Sequence, residues 1–214
     1  MGKVSRRSLY RRLLEELAIW ERLDLSQKGI VVDYGCGDGW LARKLAFEGF
    51  RVVGVDVEKG FLDSGRRILP QKGILLVLYQ GGVLPIKAES VDLVLAVGVV
   101  RSLLDRGPLE GAISEWRRCL RPRGRVVLIE TDNTPLRRYM GIQEVPKTLE
   151  SWGFRKLAWY PIRRTSWWGL TLVKWGLLPQ HFMPLLARWE LRRRKSEPVK
   201  SRAKRAYLGE FERE

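Results

Sequence analysis

Three glycines alternate behind a carboxylate in Asp33-Tyr34-Gly35-Cys36-Gly37-Asp38-Gly39, after the β-branched run Ile30-Val31-Val32 and before the apolar-periodic Trp40-Leu41-Ala42. Glycine is needed where a backbone must turn sharply and approach a ligand without a Cβ in the way. A helix opening at that turn presents unpaired N–H groups and the positive end of its dipole to whatever lies there. This is the layout of a nucleotide-type cofactor site. A dinucleotide turn reads G-x-G-x-x-G around a pyrophosphate. Here the third glycine, Gly39, comes one residue early, and Trp40 stands where that pattern wants glycine or alanine. Asp33, two positions before the first glycine, suits a cationic ligand group better than a diphosphate. A second carboxylate, Asp56, ends the strand-like Arg51-Val52-Val53-Gly54-Val55 and is followed by Val57. At a strand tip about twenty residues past the glycine turn, it can accept both hydroxyls of a ribose. The competing role for Asp56 is a cap on the helix predicted from Glu58.

On these residues the chain resembles the class I S-adenosylmethionine-dependent methyltransferases, over about residues 31–128 and in the group with an L-P-[FI] signature. Asp33 to Gly39 is similar to the first motif and Val55-Asp56-Val57 to the second. Gly81-Gly82-Val83-Leu84-Pro85-Ile86 resembles the third, and Val91-Asp92-Leu93-Val94-Leu95 the fourth strand. Glu115 to Arg118, then Cys119-Leu120-Arg121-Pro122-Arg123-Gly124-Arg125, resembles E-x-x-R-x-L-[KR]-P-G-G. The resemblance implies S-adenosylmethionine as cofactor and S-adenosylhomocysteine as product. It implies binding by Asp33, Tyr34, Gly35, Cys36 and Gly37 at the first turn, and by Asp56 and Val57 at the second strand. Gln80 and Gly81 follow the third strand, and Val97 ends the fourth. Two departures are visible. The aspartate near the adenine amino group is Gln80 here, whose carbonyl accepts from that amine without an ionic component. The histidines common after the fourth strand are replaced by Arg101-Ser102.

The elements that must carry these residues read as an alternation of strands and helices. Strands are predicted over Ile30–Asp33, Arg51–Val57, Ile74–Leu78, Val91–Val97 and Arg125–Glu130. Helices are predicted over Trp40–Ala46, Glu58–Ile68 and Leu109–Cys119. Such alternation gives right-handed crossovers and a parallel sheet with helices on both faces. Open sheets of this kind bind ligands beyond the strand C-termini, where Asp33, Asp56, Gln80, Val97 and Glu130 fall. A basic amphipathic helix, about Ser8 to Leu23, comes first, with Leu9, Leu13, Leu17 and Trp20 on one face; it packs on the sheet or covers the cofactor. Past Glu130, a helix Glu144–Trp152 and a strand Phe154–Arg163 are expected. The resemblance adds a last, antiparallel strand, either Leu170–Trp175 or, preferred, Arg205–Glu212. The fold is thus an α/β, Rossmann-like three-layer sandwich with a mostly parallel seven-stranded sheet. The expected organisation is one domain over 1–214, with a cofactor core at 29–136 and a Trp/Arg-rich insertion at about 164–202. In that insertion Phe182, Leu185, Leu186 and Trp189 recur at helical spacing, with Arg188, Arg192 and Arg193 facing elsewhere; Lys195 to Lys204 is a charged run.

Net charge is +16, and residues 137–214 carry 18 Lys/Arg against 7 Asp/Glu, with six of the nine tryptophans. The acceptor is therefore approached by a basic, aromatic part of the chain. Three readings compete: a small or lipid-like acceptor under an aromatic lid, an RNA acceptor held through phosphates and stacking, and a non-catalytic relative that holds cofactor or partner. The same basic part suits an anionic partner, RNA or an anionic membrane surface. No apolar run approaches the length of a transmembrane span. The two cysteines form neither a metal spacing nor a disulfide framework, which suits a cytoplasmic location, soluble or peripheral at a membrane. Cys36, in the turn, and Cys119, facing the sheet, do not read as nucleophiles. The [DN]-P-P-[YF] device for amino groups on planar bases is absent. The single histidine, His181, and Glu130, Asp132 and Tyr139 are the conceivable proton acceptors, and none is singled out by the sequence.

Overall fold

The computed structural model describes residues 5–24, 26, 28–68, 72–107, 109–132, 140–164, 167–195 and 205–214. Tyr139 and residues 196–204 of the charged run lie outside them. The strands are β1 (Ile30–Tyr34), β2 (Arg51–Asp56), β3 (Ile74–Leu78), β4 (Val91–Val97), β5 (Leu120–Thr131), β6 (Phe154–Arg164) and β7 (Arg205–Arg213). They form one seven-stranded sheet in the order β3-β2-β1-β4-β5-β7-β6. All neighbours run parallel except β7, which pairs antiparallel with β5 and β6. The C-terminal segment is therefore the antiparallel strand, and the other candidate, Leu170–Trp175, is helical instead.

The helices are α1 (Arg6–Trp20), α2 (Trp40–Phe47), α3 (Lys59–Ile68), α4 (Val100–Leu104), α5 (Leu109–Cys119), α6 (Glu144–Ser151), α7 (Trp168–Lys174) and α8 (Met183–Lys195). They cover both faces of the sheet. Val126 and Leu128 of β5 enter one core with α5 and α6, while Val127 and Ile129 enter the other with α1, α2, α7 and α8. This double burial is why the central strands read as continuous apolar runs rather than alternating ones. Gly49 closes α2 at φ +93, its N–H donating to Ala46 and that of Phe50 to Leu45, the reversed-turn ending that favours glycine.

Two helices turn a different face inward from the one periodicity predicts. In α1 the buried positions are Tyr10, Leu14, Glu15, Ala18 and Ile19; Leu13, Leu17 and Trp20 only flank that core, and Leu9 is exposed. In α8 the buried positions are Met183, Ala187, Glu190, Leu191 and Arg194. Glu190 accepts from the Tyr10 hydroxyl at 2.9 Å and lies 3.7 Å from the Arg194 guanidinium. Arg163 of β6 lies 3.9 Å from Glu15. Buried ions that meet partners can face a core, so charge pairing overrides the apolar stripe in both helices. Pro184 falls in the first turn of α8, where its missing N–H has no intrahelical partner to lose.

The two motifs around the third loop form one unit. Glu115 accepts from the Leu84 backbone N–H at 2.7 Å, and Arg118, paired with Glu115 at 2.9 Å, donates to the Leu84 and Ile86 carbonyls at 3.0 and 2.9 Å. The E-x-x-R spacing thus places both side chains on one face of α5, clamping Leu84-Pro85-Ile86.

Candidate active site

The first turn is held by backbone bonds and one carboxylate. The N–H groups of Gly35 and Cys36 both donate to the Val55 carbonyl, at 2.8 and 3.0 Å, stitching the turn to β2. Gly35 has φ +76, and a Cβ on it would lie 2.2 Å from Val99, so no larger residue fits. Asp56 accepts from the Gly37 N–H at 2.8 Å through Oδ2 and from the Glu58 N–H at 2.9 Å through Oδ1. Asp56 therefore takes the capping role weighed for it. It braces the glycine turn and the start of the following helix, and each oxygen keeps a second acceptor position.

Two cavities meet at this turn. One, of about 340 Å³, is lined by Tyr34, Gly35, Gly37, Val55, Asp56, Val57, Glu58, Phe61, Tyr79, Val97, Gly98, Val99, Ser102, Leu103 and Arg106. The other, of about 200 Å³, is lined by Arg11, Arg12, Glu15, Asp33, Gly35, Cys36, Trp40, Leu41, Val97, Gly98, Ile129 and Thr131. Gly35, Val97 and Gly98 belong to both walls. The larger is mostly apolar with a carboxylate at its rim, the smaller densely charged, as a ligand with a nucleoside at one end and an ionic group at the other requires.

Asp33 sits where the smaller cavity reaches the turn. Its carboxylate accepts a backbone bond from Ala42, yet Oδ2 is buried with no hydrogen-bond partner among the described residues. Burial, with the Asp56 and Asp38 charges nearby, pushes its carboxyl up to about 7. A buried carboxylate with an unmet acceptor is relieved by a cationic ligand atom. That is the observation by which these residues fit a sulfonium-bearing amino acid rather than a diphosphate.

Helix α1 closes this side. Arg12 lies 3.3 Å from Asp38 and over the Trp40 ring at 5.3 Å, so α1 is tied to the glycine turn itself. The residues Arg11, Arg12 and Glu15 carry no motif that sequence reading could find, and Phe61, Tyr79 and Leu103 read only as apolar positions. Burial raises the thiols of Cys36 and Cys119, against nucleophilic use.

Other predicted residues lie elsewhere. Gln80 and Gly81 are exposed and line neither cavity; their neighbour Tyr79 does. Glu130 is buried, accepts from the Val100 and Thr131 N–H groups at 2.9 and 2.8 Å, and ties the β5 tip to α4. Asp132 is buried beside Arg205, whose carbonyl accepts its N–H at 2.7 Å. His181 is exposed against Phe182 and lines neither cavity. A larger cavity of about 500 Å³, with Lys28, Arg51, Asp92, Arg121 and Arg123 in its wall, opens at the N-terminal ends of the strands. It is the wrong end of an open sheet for the cofactor chemistry.

Comparison with known proteins agrees with this geometry. Residues 32–128 match the family described as "Methyltransferase domain". The chain is 32% identical over 127 residues to methyltransferase GfsG of Streptomyces halstedii, covering 56% of this chain and 43% of that protein. It is 30% identical over 112 residues to ribosomal RNA small subunit methyltransferase C of Chromohalobacter salexigens, covering 51% and 34%. The chain thus spans about a third to a half of the curated relatives it matches. Its fold resembles that of phosphoethanolamine N-methyltransferase 2 of Haemonchus contortus in complex with S-adenosylmethionine. That similarity has a TM-score of 0.68 at 14% identity, over 93% of this chain and 52% of that one.

Proposed function

We propose that the protein is a class I S-adenosylmethionine-dependent methyltransferase, the family whose model residues 32–128 match, and that it transfers a methyl group to a small or lipid-like acceptor. The observation that carries the donor half is Asp33, a buried carboxylate with an unpartnered oxygen beside the glycine turn. When bound, S-adenosylmethionine supplies a methyl group on a positively charged sulfur, and an acceptor lone pair takes the methyl as the sulfur–carbon bond breaks. The chain's task is to bind, align and exclude water.

In this reading Asp56 holds the ribose, and Tyr34, Val57 and Val97 form the apolar wall around the nucleoside. Gly35 and Gly37 give close backbone approach, Cys36 packs behind the turn, and Asp33 compensates the ligand's positive charge. Gln80 and Gly81, assigned to the adenine by the resemblance, are exposed next to Tyr79, which lines the larger cavity. The acceptor enters through the smaller cavity, past Arg11, Arg12, Glu15 and Thr131. We read the chain as one domain in which the 164–202 segment shapes that approach. No base is assigned: an acceptor already nucleophilic needs only alignment.

An RNA acceptor is the second reading, favoured by the basic cavity around Lys28, Arg51, Arg121 and Arg123. That cavity lies at the opposite end of the sheet from the glycine turn, which weighs toward the smaller acceptor. The test is transfer of labelled methyl from S-adenosylmethionine into fractionated extracts. Label in the lipid or small-molecule fraction supports the first reading. Label confined to RNA supports the second. Cofactor binding without any transfer supports a non-catalytic relative.

A further inference from the structure

Helix α8 buries Glu190 and Arg194 and leaves Leu185 and Trp189 outside, so the stripe that the sequence marks as apolar faces away from the core. It is not alone. Of the fourteen exposed large hydrophobic side chains among the described residues, six come from residues 168–189: Trp168, Trp175, Leu177, Phe182, Leu185 and Trp189. Trp175 and Leu177 are 72% and 70% exposed. The rings of Trp167, Trp168 and Trp189 gather with centroids 5.3 to 6.5 Å apart. Apolar surface concentrated in this way marks an interaction site.

The charges around it select the partner. No Asp or Glu occurs between Glu150 and Glu190. Lys174, Arg188 and Arg192 are exposed beside these side chains, and the Arg193 guanidinium lies 5.2 Å from the Trp189 ring centre. Indoles and leucines beside Lys and Arg, in a segment whose one acid, Glu190, is buried, are the composition of a surface that enters the head-group layer of an anionic bilayer. Single-stranded nucleic acid would use the arginines and the rings, but it gains less than a bilayer does from the exposed Leu177 and Leu185.

The surface also has a place in the architecture. Helix α1 packs against both α7 and α8, and Arg6 donates to the Val173 carbonyl at 3.3 Å and to that of Leu178. The same helix contributes Arg11, Arg12 and Glu15 to the smaller cavity. We propose that residues 168–193 are a docking surface for an anionic lipid bilayer, which seats the acceptor cavity one helix away from the membrane. The proposal deepens the lipid-like reading of the acceptor and rests on it only for its purpose; docking itself needs no cofactor.

Vesicle flotation tests it, with the full chain and no cofactor. The wild type is expected to float with phosphatidylcholine vesicles containing phosphatidylglycerol, at least about ten-fold more strongly than with phosphatidylcholine alone, and less as salt rises. The variant Trp175→Ser/Leu177→Ser/Leu185→Ser replaces three exposed side chains that touch neither cavity. It is expected to lose at least about ten-fold in vesicle binding while keeping wild-type affinity for S-adenosylmethionine in calorimetry. Absence of wild-type flotation, or equal flotation of the triple variant, overturns the proposal. So does capture by RNA in place of vesicles, or a wild-type dimer in light scattering that the triple variant dissolves. Failure to float with cofactor binding intact removes the docking surface and leaves methyl transfer standing. Flotation without cofactor binding does the reverse.

Discussion

Asp33 is held in the free protein at a cost that a proton or a bound cation removes. Burial and two neighbouring carboxylates raise it to about 7, so the folded chain retains a proton that the unfolded chain releases near pH 4. The sign follows: this group's contribution to stability is greatest in acid and falls as pH rises from about 4 through 7. Cofactor affinity runs the other way, because only the ionised form attracts a cation. We expect calorimetric affinity for S-adenosylmethionine to weaken as pH drops below 7, by up to about ten-fold per unit. Asp33→Asn should flatten that profile and weaken binding at pH 8 about ten-fold, while stabilising the unliganded protein by about 1–3 kcal/mol. Glu15, also raised by burial and also in the smaller cavity, is the control: if Glu15→Gln rather than Asp33→Asn flattens the profile, the role of Asp33 is wrong.

Among the elements, the loop before the straight part of β5 departs from the pattern it resembles. Arg123 stands where E-x-x-R-x-L-[KR]-P-G-G has its first glycine, and its φ is +61, a left-handed conformation that costs a side-chain-bearing residue about 1–2 kcal/mol. Arg123→Gly removes that strain and adds some unfolded-state entropy, so a net gain of about 0.5–1 kcal/mol is expected in urea unfolding. A loss would show that the arginine's own contacts outweigh its backbone. The ends of β3, β4 and α5 were legible from the sequence alone, because apolar runs bounded by glycine, proline or charge set them. The inward faces of α1 and α8 were not. Their registers are fixed by Glu15, Arg163, Glu190 and Arg194, and ionic partners far apart in sequence leave no periodic trace. Helix α4, five residues long, is too short for a period to show.

At the scale of the whole molecule the charge excess divides in two. Part of the C-terminal arginine content is structural: Arg163, Arg194 and Arg205 are buried, while Arg155 and Arg213 pair with Glu212 and Glu89 at 2.6 and 2.8 Å. Lys174, Arg188 and Arg192 face outward in the segment that also exposes Trp175, Leu177, Leu185 and Trp189. No helix among the described residues is long and apolar enough to cross a membrane. The glycine turn, Asp33 and Asp56 were legible because they lie in two short stretches of chain. The α1 wall of the smaller cavity was not, since only folding brings residues 11–15 to the tips of β1, β4 and β5.

The central claim is that one nucleoside-bearing sulfonium lies over β1 and β2 with its sugar on Asp56. Calorimetric titration of S-adenosylmethionine into the wild type and Asp56→Ala measures it directly. The wild type should bind one equivalent. Asp56→Ala should bind about a hundred-fold more weakly, since two charge-assisted hydrogen bonds of about 1.5 kcal/mol or more each are removed. Equal affinity in the two proteins, or no binding to the wild type at all, would contradict it.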